Sequence, residues 1–196
     1  MIPYNADREK LLNAILFFSK KVKYPVTTKI FKLLFVLDFF HFKQYGQTVT
    51  NLNYYARGSG AVPSDFWDEI KSGTVPEDFQ NDLGLAPFQP VSMNVQEYEF
   101  QAKRPPQLGV FSQREKKILD ELVQAFENAS PHMMSETAFL KNRPWKKTLA
   151  EKGEGALIDY LLAIDNEARI TREHAEEALQ ERGKRLLSAP ERPQDR

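Results

Sequence analysis

Residues 32–69 read KLLFVLDFFHFKQYGQTVTNLNYYARGSGAVPSDFWDE, and this stretch decides the fold. Ile30, Phe31, Leu33, Leu34, Phe35, Leu37, Phe39, Phe40 and Phe42 nearly encircle one helix, predicted over 29–45. A helix that is apolar on all sides packs on several neighbours at once, so this one belongs at the centre. Gly46 stops it, because glycine enters the left-handed region without a Cβ clash. The helical period is then lost. Thr48, Val49, Thr50, Tyr54 and Tyr55 favour extended backbone, and Gly58 and Gly60 mark a turn. Pro63 and Ser64 open a short helix over 65–71, with Ser64 as its cap and Asp65 and Asp68 in its first turn.

Before the central helix, Leu11, Leu12, Ile15, Phe18 and Val22 recur at helical spacing and predict a helix over 6–22, with Asn5 as its cap. Pro25 ends that segment, and Thr27 or Thr28 is the expected cap of the next. After the central region, Ser72 to Pro90 is rich in glycine and proline. It reads as an irregular connection with one short helix at 76–82. An alternating run predicts a strand or hairpin arm at 91–101. Ser112-Gln113-Arg114-Glu115 is a capping box, so a helix starts at Gln113. Ser130-Pro131 predicts a helix over 131–139, Pro144-Trp145 a further short segment, and Ala156 to Ile164 a helix burying Leu157, Ile158, Leu161 and Leu162. Thr171 caps a last helix over 171–187, whose acids come early and bases late, in keeping with the macrodipole. Residues 188–196 read as a disordered tail. These elements predict an α+β fold, mainly α: one compact helical domain over 1–187 with a small antiparallel sheet or hairpin.

The chain has 196 residues and 12% aromatic content, enough for a ring-rich core. Its formal net charge is zero, which removes the strong electrostatic case for nucleic acid or anionic lipid. The charge is uneven. Residues 1–50 hold eight basic and three acidic side chains, and residues 151–196 hold eight basic and eleven acidic. The ordinary reading of the basic segment is a solvated face; the sharper one is a surface for an acidic partner. There is no cysteine, so disulfides and thiolate chemistry are excluded, in agreement with a cytoplasmic location. The apolar run from Ile30 to Phe42 is too short and too interrupted to span a membrane.

No catalytic signature is present. The three histidines, at 41, 132 and 174, form no ligand pair, so no metal or cofactor is expected. Arg57-Gly58-Ser59-Gly60 has the look of a small anion nest, but a turn is the better reading. Asp65, Asp68 and Glu69 on a helix start serve the dipole before they serve acid–base chemistry. Asp38 is a lone acid in an apolar helix and needs a partner if buried. Tyr55, Arg57 and Lys43 are the candidates, and a structural hydrogen bond is favoured over a ligand contact. His41 reads as a hydrogen-bonded core histidine. Phe39, Phe42, Tyr45, Tyr54, Tyr55 and Trp67, with Arg57 nearby, could line a groove that binds a partner, although a core explains most of them equally well.

In order, Lys32-Leu33-Leu34, Asp38, His41, Tyr45-Gly46, Tyr55-Ala56 and Gly60-Ala61-Val62-Pro63 resemble the motifs of the Panacea domain, the SocA-like antitoxin family. Ala61 stands where that family usually has proline; Gly60 and Pro63 are kept. Phe111 to Glu115 with Ile118-Leu119, and Pro144-Trp145, are similar to its later elements, so the resemblance covers about 11–165. It implies structural roles for Asp38, His41, Gly46, Gly60 and Pro63. It also implies a cytoplasmic antitoxin, not an enzyme, that neutralises a co-encoded toxin by direct contact, with a cellular protease as a further partner in some members. The alternative readings are a DNA-binding transcriptional regulator, motivated by the basic N-terminal segment, and a proteolysis adaptor.

Overall fold

The computed structural model describes residues 6–89 and 96–188, with side chains described as far as residue 184. The fold is α+β and mainly α. Six helices are joined by two small antiparallel hairpins. Helix α1 spans Ala6–Lys21 and α2 spans Thr27–Tyr45. Hairpin β1 (Tyr55–Arg57) and β2 (Gly60–Val62) leads into α3 (Ser64–Ile70). A second hairpin, β3 (Leu83–Phe88) and β4 (Glu97–Ala102), precedes α4 (Gln113–Phe126). Helices α5 (Pro144–Lys152) and α6 (Arg172–Ser188) complete the order.

Helix α2 is central, as its all-round apolar sequence requires. It packs against α1, α4, β2, β4 and the 3-10 turn Tyr160–Ala163. Ile30, Leu33, Leu34, Leu37 and Phe39 have no exposed surface. One contiguous apolar cluster runs from Leu11 to Ala175 through these residues. Gly46 ends α2 with φ 69°, and its N–H donates to Phe42 O. The capping box of α4 is present: Ser112 Oγ accepts from Glu115 N, and Glu115 accepts from Ser112 N.

Several local expectations are corrected. Neither Thr27 nor Thr28 caps α2. Thr27 Oγ1 instead bonds to both the N–H and the carbonyl of Tyr98, and Glu97 reaches from β4 to accept from Thr28 N and Thr28 Oγ1. Ser64 is the first residue of α3, behind Pro63 at the cap position, and makes no cap bond. Leu83–Phe88, read as part of an irregular connection, is a strand. Its register pairs Leu83 with Ala102 and Phe88 with Glu97, and Pro87 is tolerated because β3 lies at the edge. The expected strand at 91–101 begins at Glu97, and 90–95 lie outside the described residues.

The helix expected over 131–139 is absent. Turns and a short 3-10 segment, Glu136–Ala138, take its place. Pro131 O is drawn off by the Lys32 ammonium at 2.6 Å, and Glu136 turns inward to serve α5. The helix expected over 156–164 is also absent. After a turn at Gly155, residues 156–158 run extended along the outer edge of the first hairpin: Ala56 N donates to Ala156 O, Gly155 N to Ala56 O and Ile158 N to Tyr54 O. Strand alternation then buries Ile158 and leaves Leu157 half exposed. Among the described residues, no helix is long and apolar enough to cross a membrane. The expected cap Asn5 and the tail from 189 lie outside the described residues.

Candidate functional site

Asp38 sits in the middle of α2 with no exposed surface. Its Oδ1 accepts from Val49 N and Thr50 N, both at 2.7 Å. Its Oδ2 accepts from Thr50 Oγ1 at 2.5 Å and Tyr54 OH at 2.8 Å. Four donors meet two oxygens, so the carboxylate is fully engaged. Burial pushes the Asp38 carboxyl above the ordinary aspartate range, and these donors pull it back. The same burial, with the Asp38 charge beside them, raises the Tyr54 and Tyr160 phenols. The node fixes the 49–54 segment on α2, which aims β1 at the surface. Tyr55, Arg57 and Lys43, the expected partners of Asp38, are not its partners. Tyr55 is in β1, and Lys43 is buried against Asp165 at 2.8 Å and Phe139 O at 3.2 Å.

One turn further along α2, His41 Nδ1 donates to Gln47 O at 2.6 Å, which places the ring proton on that nitrogen. Burial holds its pKa below the usual value, so the imidazole is neutral at pH 7. The His41 ring lies 4.9 Å from that of Tyr45, over which the Arg114 guanidinium stacks at 4.8 Å. Tyr45, Gly46 and Gln47 then form one wall of an open cleft of about 590 Å3, with Ile170, His174, Ala178 and Glu181 opposite. Helix α6 is held there by Arg182. Its guanidinium donates to Asn51 Oδ1, Asn51 O, Leu52 O and Asn53 Oδ1, and covers the Tyr160 ring at 5.1 Å.

The first hairpin carries the other motif residues. Gly60 has φ 149°, and a Cβ there would stand 3.1 Å from Lys32 Cε. Pro63 occupies the cap position of α3. The Gly58–Ser59 turn points its Gly58 N–H at the Glu154 carboxylate, at 2.7 Å, so the chain itself fills the small nest. Trp145 Nε1 donates to Arg57 O at 2.9 Å, and the Lys32 ammonium lies 5.9 Å over the Trp145 ring. Glu136 accepts from Trp145 N and Lys146 N, both at 3.1 Å, and caps α5. Burial raises the Glu136 carboxyl above its ordinary value.

The groove of aromatic rings expected from sequence divides in two. Phe39, Phe42 and Tyr54 are at most 1% exposed and belong to the core, where Phe39 stacks on Tyr160 at 4.1 Å. No surface partner can touch them. Tyr45, Tyr55 and Trp67 are half-buried and Arg57 is exposed. Trp67 packs edge-on against Phe31, away from the Tyr45 cleft wall. Sequence reasoning missed the Lys43–Asp165 pair, the Arg182 clamp and the inward turn of Glu136. Their partners lie 122, up to 131 and up to 10 residues away in the chain, and no local pattern marks them. Among the described residues, no three His, Asp or Glu side chains gather where they could hold a metal ion.

These features define a mainly helical scaffold in which the polar motif residues hold loops and helix ends in place. The family model described as "Antitoxin SocA-like, Panacea domain" matches residues 30–146, from the first turn of α2 into α5. That is more than half of the chain, and the protein belongs to this family. No curated protein and no solved structure matches the chain.

Proposed function

We propose that this protein is a cytoplasmic antitoxin that neutralises a co-encoded toxin by direct protein–protein binding and performs no chemistry of its own. The family match over 30–146 carries this reading. The way the motif side chains are used supports it. Asp38 and His41 are hydrogen-bonded inside the fold. Gly46, Gly60 and Pro63 set backbone turns. Such residues make a rigid platform, and preorganisation lowers the entropic cost of docking. Of the expected partner-binding residues, Tyr45, Tyr55, Arg57 and Trp67 keep some exposure, which supports them as contact residues. Delivery of the bound toxin to a cellular protease would use the same complex.

The DNA-binding alternative is weakened by where the N-terminal basic residues go. Arg8 pairs with Glu69 and Asp78, Lys10 with Glu115 and Lys43 with Asp165. Lys29 and Lys32 are spent on backbone carbonyls. The test is co-expression with the product of the adjacent reading frame. Restored growth and co-purification of a stoichiometric complex are expected. Persistent toxicity with no complex would remove the antitoxin reading.

A further inference from the structure

We propose that the corner formed by Lys20, Lys21, Lys23 and Tyr24 is a docking surface for an acidic segment of the protein partner. The proposal rests on the antitoxin reading for the partner being a protein; the corner itself is read from geometry. Of the eight basic residues in 1–50, five are engaged within the fold, as set out above. Lys20, Lys21 and Lys23 are exposed and make no side-chain hydrogen bond or ion pair among the described residues. The N-terminal charge excess therefore comes to the surface at one place, where α1 ends and the chain turns.

Tyr24 is the second observation. It is 60% exposed and has φ 56°. A bulky non-glycine residue in this region is strained, and such strain persists only where the surroundings over-determine it. They do so here. Lys23 N donates to Glu127 O at 2.9 Å, and Lys23 O accepts from the buried Lys29 ammonium at 2.6 Å. Val26 N donates to Tyr24 O, and Pro25 O accepts from Phe100 N. Both flanks are pinned to different elements, and the ring is held out into solvent. A tyrosine fixed outward beside three cations that have no partner among the described residues is a preorganised anchor for a carboxylate-bearing chain.

The corner is also tied, through bonds to backbone carbonyls, to the segment that leads towards Trp145 and Arg57. The Lys29 ammonium that holds Lys23 O also donates to Ala129 O. Two residues on, Pro131 O takes the Lys32 ammonium, which lies over Trp145, and Trp145 bonds Arg57 O. Met133, 74% exposed, is carried on the same 129–133 segment. The corner is thus basic, with the exposed Met133 on a neighbouring segment. Zero net charge overall favours an acidic protein segment over a nucleic acid, which is bound through many phosphate contacts. The corner lies outside the matched residues 30–146, on chain that the family model does not cover.

The experiment uses full-length protein and the product of the adjacent reading frame, with affinity measured at low and moderate salt. The triple variant Lys20→Glu/Lys21→Glu/Lys23→Glu is expected to lose about 100-fold or more in affinity and most of the salt dependence. Tyr24→Asn keeps the left-handed backbone, because asparagine tolerates it, and removes the ring. It is expected to weaken binding about tenfold or more with an unchanged or higher thermal midpoint. If wild type binds and both variants bind within about threefold of it, the corner is overturned and the antitoxin reading stands. If wild type fails to bind, both fall. If the triple variant instead loses binding to promoter duplex while keeping the protein partner, the corner is a nucleic-acid surface and the proposal is wrong.

Discussion

Replacing Asp38 tests whether the polar motif is a structural node. Asp38→Ala leaves the N–H groups of Val49 and Thr50 buried with no acceptor, at about 1–3 kcal/mol each. Thr50 Oγ1 and Tyr54 OH can rotate, and their loss adds about 1 kcal/mol. The expected destabilisation is therefore about 3–7 kcal/mol. For a chain of this size, at about 2–4 °C per kcal/mol, that lowers the thermal midpoint by about 6 °C or more. Asp38→Asn keeps Oδ1 for the two backbone donors and turns Nδ2 towards two hydroxyls that can accept. It also removes a buried charge, so the expected cost is only about 1 kcal/mol. Urea unfolding of both variants decides the matter. The reasoning is refuted if Asn is as damaging as Ala, or if Ala costs less than about 1 kcal/mol. The pH dependence gives a second reading. Burial raises the folded pKa of Asp38 above its unfolded value, so the folded state holds its proton more tightly. Stability from this group falls as pH rises from the ordinary carboxyl range through the folded value. Wild type should therefore gain on Asp38→Asn as the solution is acidified. A difference that shrinks in acid would show that the four donors outweigh burial.

The buried pair Lys43–Asp165 ties α2 to the chain leading into α6, with both side chains at most 3% exposed. Lys43→Met alone should cost about 3–5 kcal/mol by leaving Asp165 uncompensated, Asp165→Asn should cost less because Glu167 still lies 3.8 Å from the Lys43 ammonium, and Lys43→Met/Asp165→Leu should recover much of the first loss; chemical denaturation of the double-mutant cycle measures this. Arg182→Ala removes the clamp on residues 51–53, so hydrogen exchange should quicken in α6 while α2 and α4 stay protected.

The parts of the fold written in local pattern were readable before any coordinates. Helix α2 announces itself because apolar residues surround it, and Gly46 ends it through its own backbone freedom. The α4 start is legible because both halves of its capping box lie within four residues. What could not be read are the places where a carboxylate from elsewhere does a local job. Glu97 satisfies the start of α2 from β4, so the Thr27–Thr28 cap signal misleads. Glu136 satisfies the start of α5, which dismantles the helix expected around it. Residues 156–164 carry a helical apolar spacing, but the free edge of the first hairpin offers backbone partners and recruits 156–158 as extended chain. Tertiary pairing overrides propensity wherever a buried donor needs an acceptor.

The same device explains why the expected aromatic groove divides between core and surface. Asp38, Glu97 and Glu136 are each an acid accepting from backbone N–H groups that no repeating pattern satisfies: those of the irregular turn at 49–50 and those of the first turns of α2 and α5. A carboxylate can accept from several donors at once, so one side chain stabilises a whole irregular turn. Spending acids in this way leaves the aromatic residues between them divided. Those on the inner side of α2, Phe39 and Phe42, pack the core, and those beyond the fixed turns, Tyr45 and Tyr55, reach the surface. A fold held at a turn and at two helix starts by carboxylates from elsewhere in the chain can vary its outer side chains without loosening them. That separation of holding from touching is what a domain needs if its work is to meet another protein, and it places the search for contact residues on the outward corners rather than on the motif itself.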